Sequence, residues 1–455
     1  MNRKRQKTLN ETFDDAPSGE AAEQFIEGTE LETPTTETEI PRISRVMQMM
    51  VSKRNAKEAL KRVLHNKGAA GIDGMTVEQL PAYLKMHWQR IRQELLEGRY
   101  KPQPLRRVEI PKPGGGMRKL GIPTVLDRFI QQAMQQILQG YFDQTFSKSS
   151  YGFRPRRSAH QAVWQAQQYV GSGLRWVVDI DLEKFFDRVN HDILMGLLAS
   201  RIEDRNALKL VRSYLKSGVL EDGLVQPTTE GQPQGGPLSP LLSNVMLDVL
   251  DKELERRGHK FVRYADDCNV YVASKRAGDR VMEAITKFLE RKLKLRVNKE
   301  KSAVDRPSRR KFLGFSISTQ QEPKRRIAPQ SVARLKKRVR EFTRKTKAMK
   351  LEMIIGALRR YLLGWKAYFG FCETPSVLQK LDRWIRRRLR RFIWLQWRRG
   401  HKRFTELIKR GVSRDLALQT IGNPHGAWHL SNSPALSIAL PNKYFKELGL
   451  PQLAA

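Results

Sequence analysis

Two adjacent carboxylates, Asp266 and Asp267, interrupt the run Phe261-Val262-Arg263-Tyr264-Ala265-Asp266-Asp267-Cys268-Asn269-Val270-Tyr271-Val272. Its aromatic and β-branched flanks favour strands, and Ala-Asp-Asp between them reads as a tight hairpin turn. Neighbouring like charges are costly unless a cation neutralises them, and oxygen-only ligands select a hard ion such as Mg²⁺ or Mn²⁺. A third carboxylate comes from upstream, in Trp176-Val177-Val178-Asp179-Ile180-Asp181-Leu182-Glu183-Lys184-Phe185-Phe186-Asp187. Trp176 to Leu182 has strand composition, so Asp179 and Asp181 share one face and spacing leaves open which of them is the ligand. Two strands that each deliver a carboxylate could hold a pair of divalent ions roughly 3.5–4 Å apart, the geometry of in-line phosphoryl displacement. One ion would activate a hydroxyl and the other would neutralise a leaving pyrophosphate. An isolated Asp-Asp is as often an exposed polar turn; the upstream carboxylates count against that.

Four further segments carry chemistry. Arg107-Val108-Glu109-Ile110-Pro111-Lys112-Pro113-Gly114-Gly115-Gly116-Met117-Arg118-Lys119-Leu120-Gly121-Ile122-Pro123 alternates, turns at a glycine run and resumes, which predicts a hairpin with cations at its tip and return strand. Ser149-Ser150-Tyr151-Gly152-Phe153-Arg154-Pro155-Arg156-Arg157-Ser158 combines aromatic faces that accept bases with guanidinium forks that grip phosphate. Gly231-Gln232-Pro233-Gln234-Gly235-Gly236-Pro237-Leu238-Ser239-Pro240 is too rich in Gly and Pro for a helix or central strand and lets backbone approach a ligand closely. Helical spacing resumes from Leu241 to Leu254. Val297-Asn298-Lys299-Glu300-Lys301-Ser302 supplies two more cations.

In this order, the segments resemble the group II intron-encoded reverse transcriptases, also called maturases, over about residues 66–450. Tyr264-Ala265-Asp266-Asp267 matches the family's Tyr-Ala-Asp-Asp signature, and the Asp-hydrophobic-x-x-x-Phe-Asp block falls on Asp181 to Asp187. The resemblance implies catalytic Asp181, Asp266 and Asp267, with two Mg²⁺ ions (Mn²⁺ as a substitute) held by Asp181, Leu182, Asp266 and Asp267. Asp179 then becomes secondary. It puts Lys112, Arg118, Gln234, Gly235 and Lys301 (preferred over Lys299) around the incoming nucleotide. Phe186 becomes a steric gate against a 2′-hydroxyl, although an aromatic at a strand end is more often core. Tyr151, Arg154, Arg156 and Arg157 would lie along the template, and Lys311-Phe312-Leu313-Gly314-Phe315 would grip the primer end.

These segments need elements to position them. The expected fold is α+β, a right-hand polymerase whose fingers and palm span residues 91–318, the palm carrying a split βαβ-type antiparallel sheet. An N-terminal fingers extension covers 41–90, including Asn66-Lys67-Gly68-Ala69-Ala70-Gly71-Ile72-Asp73-Gly74. An all-α basic thumb, the family's maturase domain X, covers 325–410 and a short tail covers 411–455. Within the thumb, Leu351, Ile354, Ile355, Leu358, Leu362, Trp365 and Phe369 form one 3.6-period stripe. Val377, Leu381, Trp384, Ile385, Leu389 and Phe392 form another; both read as core. The surrounding segment, 323–410, has 28 Lys or Arg against five Asp or Glu, too one-sided for internal pairing. Arg386, Arg387, Arg388, Arg390 and Arg391 are therefore expected to bind phosphate.

Composition bounds the reading. A net charge of +38 implies a polyanionic partner. Residues 11–40 oppose the trend, with ten acidic and no basic residues, and read as a disordered extension over 1–40. Two cysteines, Cys268 and Cys372, give neither a disulfide framework nor a four-thiolate zinc site and fit a reducing, cytoplasmic-type compartment. No membrane span or signal sequence is visible, and no room or cysteine set remains for the nuclease that many relatives append. The expected partners are group II intron RNA, an RNA template with DNA primer, target DNA and dNTPs. The expected function is RNA-directed DNA synthesis with assistance to splicing and intron mobility. A splicing-only maturase, or a stand-alone enzyme of host defence or repair, are the alternatives.

Overall fold

The computed structural model describes residues 42–111, 116–221, 224–226, 230–231, 235–344 and 349–454. The acidic segment 1–40, Lys112 and Gln234 lie outside the described residues, and Arg118 is described by its backbone alone. The chain divides into two compact units, one running through Ala162 and resuming over Val178–Val304, the other made of Val163–Val177 and the residues from Asp305 on.

The first unit contains two sheets. Strands β1 (Leu105–Pro111) and β2 (Met117–Ile122) form the antiparallel hairpin that the alternating sequence predicts, in the register Arg106↔Ile122 to Pro111↔Met117. The four-stranded order is β2-β1-β4-β5, with β4 (Val219–Glu221) parallel to β1 and antiparallel to β5 (Leu224–Gln226). The second sheet carries the acidic motifs in the order β6-β7-β3-β8, from β6 (Lys260–Tyr264), β7 (Asp267–Val272), β3 (Trp176–Ile180) and β8 (Ala303–Asp305).

Helix Ser239–Arg256 starts directly after the Gly-Pro loop, with Pro240 in its first turn where a missing N–H does no harm. It buries Leu241, Leu242, Val245, Met246, Leu247, Leu250 and Leu254. Two polar residues, Asn244 and Asp251, lie seven positions apart on that buried side and are 0% exposed, a spacing of two helical turns.

In the second unit, helices Pro329–Phe342, Leu351–Phe369 and Pro375–Gln396 bury the two predicted stripes: Leu351, Ile354, Ile355, Leu358, Leu362 and Trp365 on one, Leu381, Ile385, Leu389 and Phe392 on the other. Two expectations change here. The unit is not all helical, because β10 (Arg325–Ile327) pairs antiparallel with β9 (Phe315–Ile317). Residues 311–315 pack within this unit, the Phe315 ring against Tyr368, Phe369 and Phe371 at centroid distances of 5.6, 5.3 and 6.3 Å.

The segment from 411 on is no loose tail. Helices Arg414–Gly422, Pro434–Ala439 and Asn442–Glu447 deliver Ala417, Leu436, Leu440 and Phe445, fully buried, to the same core. At roughly 1.5–3 kcal/mol for each large apolar side chain removed from water, that segment is integral to the unit's stability. Asp382, on helix Pro375–Gln396, accepts hydrogen bonds from the backbone N–H of Leu453 (3.0 Å) and Ala454 (3.1 Å), closing the chain end onto the core. Among the described residues no helix is long and apolar enough to cross a membrane.

Candidate active site

The Tyr-Ala-Asp-Asp segment forms the expected hairpin turn, with Tyr264 opposite Asp267 and Ala265-Asp266 as the two-residue loop. Ala265 has φ of +56°, the left-handed region that the first position of a primed two-residue turn requires and that a side chain disfavours. Gly152 explains how the turn is pressed into shape. A Cβ at Gly152 would lie 2.3 Å from the Ala265 backbone nitrogen, so only glycine lets the Tyr151-Gly152-Phe153 loop approach this closely.

Behind the turn lies Arg263, 0% exposed in strand β6. Its Nε and Nη2 donate to the two oxygens of Asp251 at 2.7 and 2.5 Å. Nη1 donates to the Ala265 carbonyl (2.9 Å) and to Asn244 Oδ1 (3.0 Å), and Nη2 also donates to Ser150 Oγ (2.9 Å). Asn244 Nδ2 in turn donates to the Gly152 carbonyl at 2.9 Å. Burial works against the Arg263 charge, but the Asp251 carboxylate outweighs it and leaves the guanidinium pKa above its ordinary value. Burial, then the Asp251 charge, pushes the Cys268 thiol well up, so this cysteine is an inert core residue.

Asp181 follows β3 directly. Its N–H donates to Ser302 Oγ (3.0 Å), its carbonyl accepts from the Asn298 N–H (2.8 Å), and the Glu183 N–H donates to the Arg296 carbonyl (2.8 Å). The Val297–Ser302 segment thus zips along the acidic strand end. Asn298 Oδ1 accepts from the Glu300 and Lys301 N–H groups, a local turn that aims Lys301. Lys301 Nζ stands 3.6 Å from Asp181 Oδ1. Asp179, on the same strand face, accepts from Asn269 Nδ2 at 2.9 Å once that amide is turned to satisfy both of its ends. Asp179 therefore ties β3 to β7. Because side chains alternate, Asn269 and Asp267 share a face of β7, and Asp181 and Asp267 project from the same side of the sheet.

This donor set is all oxygen and suits a hard divalent ion by its chemistry. Among the described residues no three His, Cys, Asp or Glu side chains close into a ready-made cage; the cation beside Asp181 is the Lys301 ammonium. The Phe186 ring is half-buried against Phe185 (5.3 Å, edge to face), while Phe185 itself is core. Gly231 (φ +93°) backs onto the Asp187 carbonyl, and its N–H donates to the Val189 carbonyl (2.8 Å), so the Gly-Pro loop starts from the acidic block. A Cβ at Gly235 would meet the Gly121 carbonyl of β2 at 2.7 Å.

Two expected template contacts do not have that geometry. Arg154 has a side chain only 5% exposed, and it donates to Asp143 Oδ1 (2.7 Å) and to the carbonyls of Asp143, Ser147 and Ser150. With four of its five N–H groups so engaged it staples the loop rather than gripping phosphate. Tyr151 is buried, its ring covered by Arg157 at 5.2 Å, and offers no face to a base. Arg156 is exposed, and Arg157 is half-buried with one N–H on the Lys148 carbonyl. Phe153, 49% exposed and 6.4 Å from the Tyr264 ring, is the exposed aromatic of this loop.

In the second unit the arginine run is half-buried. Arg387 stacks on Trp428 (4.1 Å) and donates to its carbonyl (2.9 Å); Arg390 donates to the Leu440 carbonyl (3.0 Å); Arg388 donates to Thr343 Oγ1 (2.8 Å). Burial, then neighbouring arginines, lowers the pKa of Arg388 and Arg390. Three of the five thus have structural duties, and among the described residues Arg386 and Arg391 have no such bond.

Sequence reasoning missed Arg263, Asp251, Asn244 and Ser302. A signal existed: Arg263 is a cation inside the apolar part of a strand, directly after Phe261 and Val262, and Asn244 and Asp251 recur on an apolar helix face. A cavity of about 450 Å³ lined by Phe142, Phe146, Val245, Asp248 and Phe288 contains none of the expected site residues.

Comparison with known proteins agrees with the geometry. Residues 110–317 match the family described as reverse transcriptase (RNA-dependent DNA polymerase), and residues 332–411 match the group II intron maturase-specific domain. Protein YkfC of Escherichia coli (strain K12) is 35% identical over 303 residues, 58% of this chain and 80% of YkfC. Group II intron-encoded protein LtrA of Lactococcus lactis subsp. cremoris is 31% identical over 325 residues, 57% of this chain and 54% of LtrA, so the chain spans about half of that relative. A solved chain of the partial Cas6-RT-Cas1--Cas2 complex aligns at a TM-score of 0.36 and 24% identity, over 55% of this chain and 43% of that one. The protein is of the reverse transcriptase class. Within that class it belongs to the group II intron reverse transcriptase/maturase family.

Proposed function

We propose that the chain extends DNA primers on RNA templates and also binds a group II intron RNA, assisting its splicing and mobility. The first unit then supplies fingers and palm, and the second unit the thumb. The observation that carries this reading is the pairing of β3, which Asp181 follows, with β7, which the Asp266-Asp267 turn opens, together with Lys301 at 3.6 Å from Asp181. Asp181, the Leu182 carbonyl, Asp266 and Asp267 would hold divalent magnesium (manganese as a substitute), which supplies charge neutralisation for the primer 3′-hydroxyl and the departing pyrophosphate.

Lys301, with a side chain 66% exposed, would leave Asp181 for the triphosphate. Lys112 and Arg118 would supply further positive charge to the triphosphate. Gln234 and Gly235 would lie under the nascent base pair, where a glycine with φ of +129° lets backbone come close. Phe186, braced edge-on by Phe185, would exclude a ribose 2′-hydroxyl. Arg156, Arg157, Arg386 and Arg391 would contact phosphate, supported by their unbalanced positive surroundings.

The test is primer extension on an RNA template, run beside splicing of the intron that flanks the coding sequence. cDNA synthesis together with stimulated splicing is the expected result. Splicing without synthesis would reduce the protein to an RNA-binding maturase, and synthesis without a flanking intron RNA would make it a stand-alone enzyme.

A further inference from the structure

We propose that Arg263 is a positioning residue for polymerisation: it sets the Asp266-Asp267 carboxylates by holding the Ala265 carbonyl from behind the turn. The inference rests on the proposed polymerase reading of that site.

Ala265 adopts a backbone conformation that costs a non-glycine residue of the order of 1 kcal/mol, so something outside the loop must hold it there. Two restraints on Ala265 itself are visible among the described residues. Gly152 presses on the Ala265 nitrogen from one side. Arg263 Nη1 draws the Ala265 carbonyl at 2.9 Å from the other. Both restraints lead to the same helix: Asn244 bonds the Gly152 carbonyl and Arg263, and Asp251 grips the guanidinium bidentately.

A purely structural ion pair would not need this arrangement. Arg263 is surrounded by acceptors on three separate segments, at Ser150, at Asn244 with Asp251, and at Ala265. A planar fork is the side chain that can join them in one fixed geometry. Lysine, a flexible point charge, would satisfy Asp251 without fixing the turn. The network thereby transmits the position of helix Ser239–Arg256, which begins at the Gly-Pro loop, to the carboxylates. Displacement of reacting groups by about 1 Å can lower a rate about 100-fold.

The test uses the full chain with Arg263→Met and Asp251→Leu combined, a replacement of a buried ion pair by apolar residues that is often neutral for stability. Thermal melting, primer extension and amide hydrogen exchange at Ala265–Asp267 are measured together. The expected result is a folded protein with kcat lowered about 10- to 100-fold, unchanged KM for dNTP and unchanged RNA affinity, and faster exchange at the turn. A folded double variant with wild-type kcat and wild-type exchange overturns the proposal.

Should the double variant melt below the assay temperature, Asn244→Ala decides, since it keeps the Arg263–Asp251 pair. It is expected to lower kcat several-fold and to speed exchange at the turn; wild-type values for both overturn the proposal. A wild-type protein that makes no cDNA would defeat the polymerase reading instead, while turn exchange still reports on Arg263.

Discussion

The two units use arginine in opposite ways. In the first, Arg263 is fully buried and matched by Asp251, and its remaining donors are taken by fixed acceptors. In the second, five of the six arginines of helix Pro375–Gln396 fall within residues 386–391, and among the described residues none of these five is paired with a carboxylate. Arg387, Arg388 and Arg390 lean on a ring face, a hydroxyl and carbonyls, and burial with repulsion from neighbouring arginines destabilises the charged form of Arg388 and Arg390. A compensated buried charge fixes geometry, which suits chemistry that fails at small displacements. An uncompensated cluster keeps a field directed outward and awaits an external anion. The contrast is what the proposed division, with chemistry in one unit and RNA affinity in the other, requires.

The largest effect expected is at the carboxylates. Asp267→Asn should lower cDNA synthesis by about 1,000-fold or more in primer extension, since a neutral amide cannot replace an anionic ligand of a hard ion. Gly152→Ala should come next. Its Cβ would lie 2.3 Å from the Ala265 nitrogen, so the turn must move and kcat should fall about 100-fold. Unchanged extension by this variant would break the claim that the turn is held from outside.

In the second unit, Arg387→Gln combined with Arg390→Gln removes the stacking on Trp428 and the bonds to the Trp428 and Leu440 carbonyls. Denaturant unfolding should show a loss of roughly 1–3 kcal/mol, which separates these two from purely surface arginines.

The smallest effect concerns Asp248, whose pKa is raised to about 6 by burial and by the Asp251 charge. The native state then retains a proton between about pH 4 and 6 that the unfolded chain has released. Stability therefore falls as pH rises through that window and remains lower above it. Asp248→Asn should raise the melting temperature at pH 7.5, a gain of roughly 1–2 kcal/mol that shrinks towards pH 4.

Much of the site was legible because local sequence carries it. The hairpin turn, the β1–β2 pairing, helix Ser239–Arg256 and both helical stripes follow from alternation, period and punctuation, which are properties of neighbouring residues. Arg154 was misread because an arginine in a Gly-Pro-rich loop looks the same whether its acceptors are phosphates or carbonyls eleven residues away. Asn244, Asp251 and Ser302 escaped because their partners are 12 to 121 residues distant, a pairing that no periodicity encodes. The segment after 411 looked like a tail because its helices are short, and their apolar residues acquire meaning only against the helices they cover.

The division of labour between the units is tested most directly by the salt dependence of RNA binding in two variants, measured side by side. Asp267→Asn should bind RNA with wild-type affinity and an unchanged log–log slope. Arg386→Gln combined with Arg391→Gln should flatten the slope by roughly 0.7–0.9 for each phosphate that is no longer neutralised, with melting unchanged. An unchanged slope in the folded arginine variant, or weakened RNA affinity in Asp267→Asn, would contradict the account.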